Sequence, residues 1–221
     1  MKDVVEKGDF IELDFTGYVE NTKEVFDTTI KEDAKKAGIY DEKTIYEPIV
    51  VKVGSNQLLK GLEEFLIGKN IGSYEVVLEP ENAFGKRDAK LLKLVSKTNF
   101  TKNKIEPIPG LRVNIDGILG TIVAVSANRV MVDLNHPLAG KRIKYKIIIR
   151  RILEKDEEKI SAIIKQITGK ELEFSIEGKK ARIKIDKDIS ELKPFINEEL
   201  MKIGFEVEFE EKTTDSNFTQ K

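Results

Sequence analysis

Val53-Gly54-Ser55-Asn56-Gln57-Leu58-Leu59-Lys60-Gly61-Leu62-Glu63-Glu64 is the stretch on which the fold turns. Just ahead of it, Ile49-Val50-Val51-Lys52-Val53 reads as a β-strand, stopped by Gly54. Beyond it, Leu58, Leu59, Leu62, Phe65 and Leu66 recur at helical spacing and form one apolar face. Ser55 or Asn56 is placed to cap this helix, and Gly68 or Gly72 to end it. A short helix with one apolar face must bury it against another layer, and a sheet is the simplest partner.

Strands on both sides supply that sheet. Residues 9–20 alternate, with Ile11, Leu13 and Phe15 on one side and Glu12, Asp14 and Thr16 on the other, the pattern of a half-buried strand. Residues 73–79 alternate again through Tyr74, Val76 and Leu78 until Pro80. Residues 143–153 do the same, with Ile143, Tyr145, Ile147 and Ile149 opposite Lys144 and Lys146. Between the last two strands the texture changes. Leu91, Leu92, Leu94 and Val95 suggest a strand, and Glu106-Pro107-Ile108-Pro109-Gly110 a turn region. Short β-rich runs follow at 111–115, 118–125 and 129–134, parted by Asp116-Gly117 and Ala127-Asn128. This is a unit of roughly 45 residues, near the lower limit for an independent core.

The charged run Glu154-Lys155-Asp156-Glu157-Glu158-Lys159 marks a further boundary. The rest reads as a helix over 156–168 ended by Gly169, strands over 171–176 and 180–185 about Gly178, a helix over 189–202 begun by Asp188-Ile189-Ser190-Glu191, and a strand over 204–210. From Thr213 the chain is polar and expected to fray.

Composition removes several classes of function. Without cysteine there is no disulfide or thiolate chemistry, and one histidine, His136, cannot build a histidine metal site. Lys+Arg at 38 nearly cancels Asp+Glu at 39, so net charge makes no case for nucleic-acid or membrane partners. The first residues, Met1 to Lys7, lack the apolar core of a secretion signal. No run approaches the ~18 uninterrupted apolar residues of a membrane span. A cytoplasmic protein is expected.

Three blocks then fall in one order: Leu13-Asp14-Phe15-Thr16-Gly17-Tyr18 with Val25-Phe26-Asp27-Thr28-Thr29; the 53–64 stretch with Gly68 and Gly72; and Pro80-Glu81-Asn82-Ala83-Phe84-Gly85. Their order and spacing resemble the FKBP-type peptidyl-prolyl isomerases. A fourth block, Asp133-Leu134-Asn135-His136-Pro137-Leu138-Ala139-Gly140-Lys141, is similar to the SlyD branch, in which an insert-in-flap chaperone domain interrupts the FKBP fold. The extension over 155–221 resembles the long archaeal-type members. The resemblance covers about residues 3–153. It implies an α+β protein in three parts: an FKBP-type antiparallel sheet around a short helix (1–85 and 133–154), an inserted small all-β domain (86–132) and a C-terminal α+β domain (155–221).

The chemistry such a protein performs needs little from its side chains. Rotation about a peptide bond faces a barrier of ~18–20 kcal/mol. A dry apolar site that binds the twisted amide better than the planar one lowers it without nucleophile, proton transfer, metal or cofactor. Carried over residue by residue, the resemblance places Phe15, Phe26, Ile49, Leu58, Leu59, Leu62, Phe84 and Tyr145 around the proline ring, with Leu138 and Ala139 at the edge of the pocket. It puts Asp27 at the rim as a buried carboxylate acting on the twisted amide, and the Leu59 N–H on a substrate carbonyl. Asp27, Phe26, Phe84 and Tyr145 are the expected catalytic set. Phe15 and Phe84 stand where many relatives carry tyrosine, Leu62 where the immunophilin branch has a larger aromatic floor, and Tyr145 where many relatives have phenylalanine. His136 is expected to fix the return of the chain rather than to act chemically. The metal-binding tail of the SlyD branch has no counterpart, since Thr213 to Lys221 contains no His or Cys.

Expected partners are unfolded or proline-containing polypeptides, gripped by apolar surface on the insert. The alternatives are a holdase with a degenerate pocket and, behind it, a ribosome- or RNA-associated protein. The last is weakened because residues 86–132 hold one aromatic, Phe100. The strictly alternating strand at 204–210 suits an edge, where it could pair a second copy of the chain through residues 155–221.

Overall fold

The computed structural model describes residues 2–211. The polar tail from Thr213, with its expected fraying, lies outside the described residues. In chain order the elements are β1 (Phe10–Val19), β2 (Val25–Thr28), α1 (Lys31–Ala37), β3 (Ile49–Lys52), α2 (Lys60–Leu66), β4 (Gly72–Leu78), β5 (Leu92–Ser96), α3 (Lys97–Lys102), β6 (Arg112–Ile115), β7 (Ile118–Val125), β8 (Arg129–Asp133), β9 (Ile143–Leu153), α4 (Asp156–Thr168), β10 (Phe174–Glu177), β11 (Lys180–Ile185), α5 (Lys193–Met201) and β12 (Glu206–Glu211). Among the described residues no helix is long and apolar enough to cross a membrane.

Three sheets carry three apolar cores. The first sheet runs β2-β1-β9-β4, with β3 on the other half of the β2 edge of β1. β1 and β9 pair antiparallel from Phe10↔Leu153 to Val19↔Ile143. The side chains of Ile11, Leu13, Ile143, Ile147 and Ile149 bury against Leu62 and Leu66 of α2. The second sheet, β5-β8-β7-β6, lies between β4 and β9 in the chain and closes on Phe100, Val113, Ile122, Val130 and Val132. The third, β10-β11-β12, packs under α4 and α5.

Several elements depart from the expected pattern, each for a local reason. β1 is not half-buried: Asp14 and Thr16, on its polar side, are 2% and 5% exposed. Both are held by partners. Asp14 accepts from Arg150 and from Thr29 Oγ1, and Thr16 Oγ1 bonds Thr28 Oγ1 and Asp33. The buried polar groups are thus satisfied, which is what makes their burial tolerable. The helix of the 53–64 stretch begins only at Lys60. Neither Ser55 nor Asn56 caps it, because Ser55 Oγ turns back to the Lys52 carbonyl and Asn56 sits at φ 60°. Leu58 and Leu59 consequently precede the helix instead of sharing its face.

The insert is not all-β. Ser96 accepts the Thr98 N–H and starts α3, whose Phe100 becomes part of the core. Asp116 and Gly117, at φ 50° and 86°, make the expected tight turn between β6 and β7. Further on, the predicted helix over 189–202 divides into a 3-10 segment, Lys187–Leu192, and α5. Pro194 in the first turn of α5 has no N–H to give to a preceding turn, so the α-helix opens there. β10 starts at Phe174 rather than 171, and β12 at Glu206 rather than 204. β12 is an edge strand as the alternation suggested, paired in parallel with β11.

The C-terminal unit shares its core with the first sheet. Phe10 and Leu153, at one end of the β1–β9 pair, bury in the cluster formed by Ile160, Ile164, Ile183, Ile196 and Phe205, with Val50 packed beside them. Arg151 to Glu158 and Lys165 to Glu47 join the same two units at the surface.

Candidate functional site

A break in strand register builds the centre of the site. Gly17 of β1 pairs with Asp27 of β2, but the next residue, Tyr18, pairs with Val25, so Phe26 is the extra residue of a β-bulge. A bulge re-aims one side chain relative to the pleat. Here the Phe26 ring is turned over Gly17, where a Cβ would lie 2.7 Å from its Cζ. On the other side of β1, Gly17 pairs with Tyr145 of β9, and the same Cβ would lie 2.8 Å from the Tyr145 Cε1. Gly17 is the bare floor on which two rings rest, and Asp27, Gly17 and Tyr145 lie across three adjacent strands.

The rings continue outward edge to face. Phe15 meets Tyr145 at 5.8 Å, Tyr145 meets Phe26 at 6.0 Å, and Phe26 meets Phe84 at 5.7 Å between centroids, with planes inclined by 65° to 88°. Such pairs contribute about 0.5–1.5 kcal/mol each beyond the area they bury. Ile49, Leu58, Leu59 and Leu138 are partly buried against the same core, and Leu62 is buried beneath it. Ala139, also buried, follows in the 136–140 turn. All eight residues expected around the proline ring, with Leu138 of the expected edge, thus share one apolar cluster, and the charge of Asp27 is felt at Tyr145.

Asp27, Leu58 and Leu59 differ in detail from expectation. Asp27, expected to be a buried carboxylate, is exposed. Its carboxyl is nevertheless crowded enough that desolvation raises its pKa, opposed by the Thr28 N–H. The Tyr145 phenol is pushed well above its usual pKa, mainly by burial and further by the charge of Asp27, so it stays protonated. Leu58 and Leu59 reach the site from a loop, as noted above. That loop is held by Glu63, a buried side chain of α2 whose Oε1 accepts the Leu58 N–H at 3.3 Å.

Phe84 is placed by two contacts that its own segment does not announce. Gly61 of α2 lets the 3-10 turn Pro80–Asn82 press close, since a Cβ there would meet Asn82 O at 2.8 Å. His136 lies flat on the Phe84 ring at 4.7 Å, planes 2° apart. The same imidazole accepts the Leu138 N–H at Nδ1, and Gly140 N–H bonds the Gly85 carbonyl, so the chain leaving for the insert and the chain returning from it are tied together. Asn135 reinforces the tie through both backbone groups of Asp88. The expectation for His136 as a fixed point of return agrees with this geometry. Gly17, Gly61 and Glu63 were not singled out from the sequence, though a glycine inside an alternating strand signals close approach.

Comparison with known proteins bears on what such a site belongs to. The model of the FKBP-type peptidyl-prolyl cis-trans isomerase family matches residues 2–107, and that described as FKBP26, IF domain, matches residues 93–138. The short-type peptidyl-prolyl cis-trans isomerase of Methanocaldococcus jannaschii is 35% identical over 159 residues, which is 72% of this chain and 100% of the relative. The FKBP-type peptidyl-prolyl cis-trans isomerase SlyD of Helicobacter pylori is 33% identical over 128 residues, covering 56% of this chain and 69% of the relative. SlyD of Pasteurella multocida is 32% identical over the same length, covering 56% and 64%. A ring-lined site under a bulged strand, an insert between β4 and β9, and relatedness along the whole length of an archaeal isomerase lead to one conclusion: the chain belongs to the FKBP-type peptidyl-prolyl cis-trans isomerase family, enzymes of class EC 5.2.1.8.

Proposed function

We propose that the chain isomerises X-Pro bonds in polypeptides by seating the twisted amide on the ring cluster, and that its insert holds unfolded segments nearby. Phe26, Phe84, Tyr145 and Asp27 form the catalytic set. Phe15, Ile49, Leu58, Leu59, Leu62, Leu138 and Ala139 form the binding wall. The apolar rings strip water from the amide, whose resonance weakens when its carbonyl loses hydrogen bonds from solvent. The Asp27 carboxylate, poorly solvated, interacts with the changing dipole of the rotating amide. The Leu59 N–H holds a substrate carbonyl. The observation that carries this reading is the bulge at Phe26, which turns the Phe26 ring over Gly17, the strand partner of Asp27.

The insert supports the second half. Leu94 and Leu119 are 57% and 69% exposed, with Ile108 and Ile118 more than half exposed. A groove of about 700 Å³, lined by Leu94, Val95, Phe100, Leu111 and Val113, runs between β5 and β6. An unfolded chain held there raises its own concentration at the proline site. On this reading residues 1–85 with 133–154 are the isomerase domain, 86–132 the client-holding domain, and 155–221 a supporting α+β domain, all working in the cytoplasm. A second reading, contact with RNA, is favoured by local charge: residues 86–132 carry nine Lys or Arg against three Asp or Glu.

The test is a proline-limited refolding assay beside short-peptide isomerisation, using the full chain. Leu94→Ser with Leu119→Ser should spare the peptide rate and slow catalysis of refolding severalfold. Equal losses on both substrates would refute the division of labour. Salt-sensitive RNA binding that leaves both rates untouched would favour the second reading.

A further inference from the structure

β3 is an edge strand, and two of its outward backbone groups are taken up by side chains. Val50 O accepts from Gln166 Nε2 at 3.1 Å, and Lys52 N–H donates to Gln57 Oε1 at 2.8 Å. The two side chains are themselves joined, Gln57 Nε2 donating to Gln166 Oε1 at 3.0 Å. A glutamine amide both accepts and donates, so two in series can satisfy one carbonyl and one N–H that a neighbouring strand would otherwise bond. Gln57 belongs to the loop that ends in Leu58 and Leu59. Gln166 belongs to α4, in the C-terminal unit.

We infer that Gln166 is a positioning residue for isomerisation: through Gln57 it sets the rim loop, residues 55–59, at the proline site. The inference rests on the assignment of that site under Proposed function. The loop has few other restraints. Asn56 is left-handed at φ 60°, Ser55 bonds only its own turn, and Leu58 is held from the far side by Glu63. Gln57 is the point between these anchors, and its side chain is spent on Lys52 and Gln166. Along the chain Ile49, another wall residue, is flanked by Glu47, which pairs with Lys165 of α4, and by Val50, whose carbonyl Gln166 holds. One helix of the C-terminal unit therefore braces both banks of the site. A loosened loop spends less time in the binding geometry, and apparent affinity falls by the same fraction while the bound complex reacts as before.

The experiment uses the full chain with Gln166→Ala, Gln57→Ala and the double variant, and a short proline peptide as substrate. Each single variant should raise KM about two- to tenfold, the range that losing one hydrogen bond corresponds to, with kcat held. The double variant should be no worse than the more affected single one. Glu158→Ala, which loosens α4 elsewhere by removing its bond to Arg151, should leave KM unchanged. A KM unaltered in both single variants, effects that multiply in the double variant, or an equal rise in Glu158→Ala would overturn the inference. Phe26→Ala and Asp27→Ala in the same assay keep the two ideas apart. If they lose activity and the glutamine variants do not, only the bracing role falls. If they retain activity, the site assignment falls and the bracing role with it.

Discussion

Gly17→Ala is the sharpest perturbation of the site. Added to the strand, the methyl group would lie 2.7 Å from Phe26 Cζ and 2.8 Å from Tyr145 Cε1, where ordinary contact begins at 3.4 Å. One or both rings must retreat by 0.6–0.7 Å, the difference between those distances. Packing an extra methyl into a filled space costs about 1–3 kcal/mol. Removing a glycine from a strand returns about 0.5–1 kcal/mol. The net loss of stability is then about 0–2.5 kcal/mol, less than the about 5–15 kcal/mol of a typical domain, so the variant folds. A misplacement of about 1 Å at a reacting site lowers rate roughly 100-fold, which scales to about 10- to 30-fold here. The assay is kcat/KM on a short proline peptide, with a urea melt on the same preparation. Gly120→Ala is the matched control in the insert, where a Cβ would meet Leu134 at 2.6 Å and Asp133 O at 2.9 Å. It should destabilise the insert and leave the peptide rate intact. Full peptide activity in Gly17→Ala, with unchanged stability, would refute the idea that the rings rest on this glycine.

Asp27→Asn tests the carboxylate. Its pKa is raised in the folded chain, so folding favours its protonated form, and its ionisation weakens the fold as pH rises through the raised value. The variant should therefore be at least as stable as the parent at neutral pH and lose that advantage below the usual aspartate range, while isomerising more slowly at neutral pH; thermal melts and peptide rates across pH 3 to 8 check both. Arg150→Ala tests the buried polar side of β1. It removes the cation from Asp14 and leaves it, among the described residues, the Thr29 hydroxyl. Because Arg150 is half exposed, the expected cost is about 1–3 kcal/mol in a urea melt, and a loss below 0.5 kcal/mol would show that water satisfies Asp14 as well as arginine does.

Much of the architecture was legible because periodicity reports burial directly. The strand over 143–153 and the helix over 156–168 match their observed ends. The turn at Asp116-Gly117 and the left-handed Gly169 follow from local sterics. What was missed is equally instructive. The polar face of β1 looked solvated because Asp14 and Thr16 look polar; their partners Arg150, Thr29 and Asp33 are remote in sequence and absent from any window. Helix α1 and strand β2 are too short for a period to declare itself, and α3 has one buried residue, Phe100. The cap assigned to Ser55 or Asn56 failed because both were recruited by the preceding turn.

The sequence by itself determined the parts: a short apolar helix beside alternating strands, an interruption between β4 and β9, a charged boundary before α4, and a set of aromatic and leucine side chains without nucleophile or thiol. These follow from spacing along the chain, which a one-dimensional string contains. Only the tertiary structure decided how the parts act on each other. The bulge that turns Phe26 over Gly17, the imidazole of His136 on Phe84, the burial of Phe10 and Leu153 under the C-terminal unit, and the Gln57–Gln166 bond all join residues far apart in number. Close packing selects those pairs, since a ring, an amide or a carboxylate is fixed by whatever surface faces it, and that surface exists only once the sheet has closed.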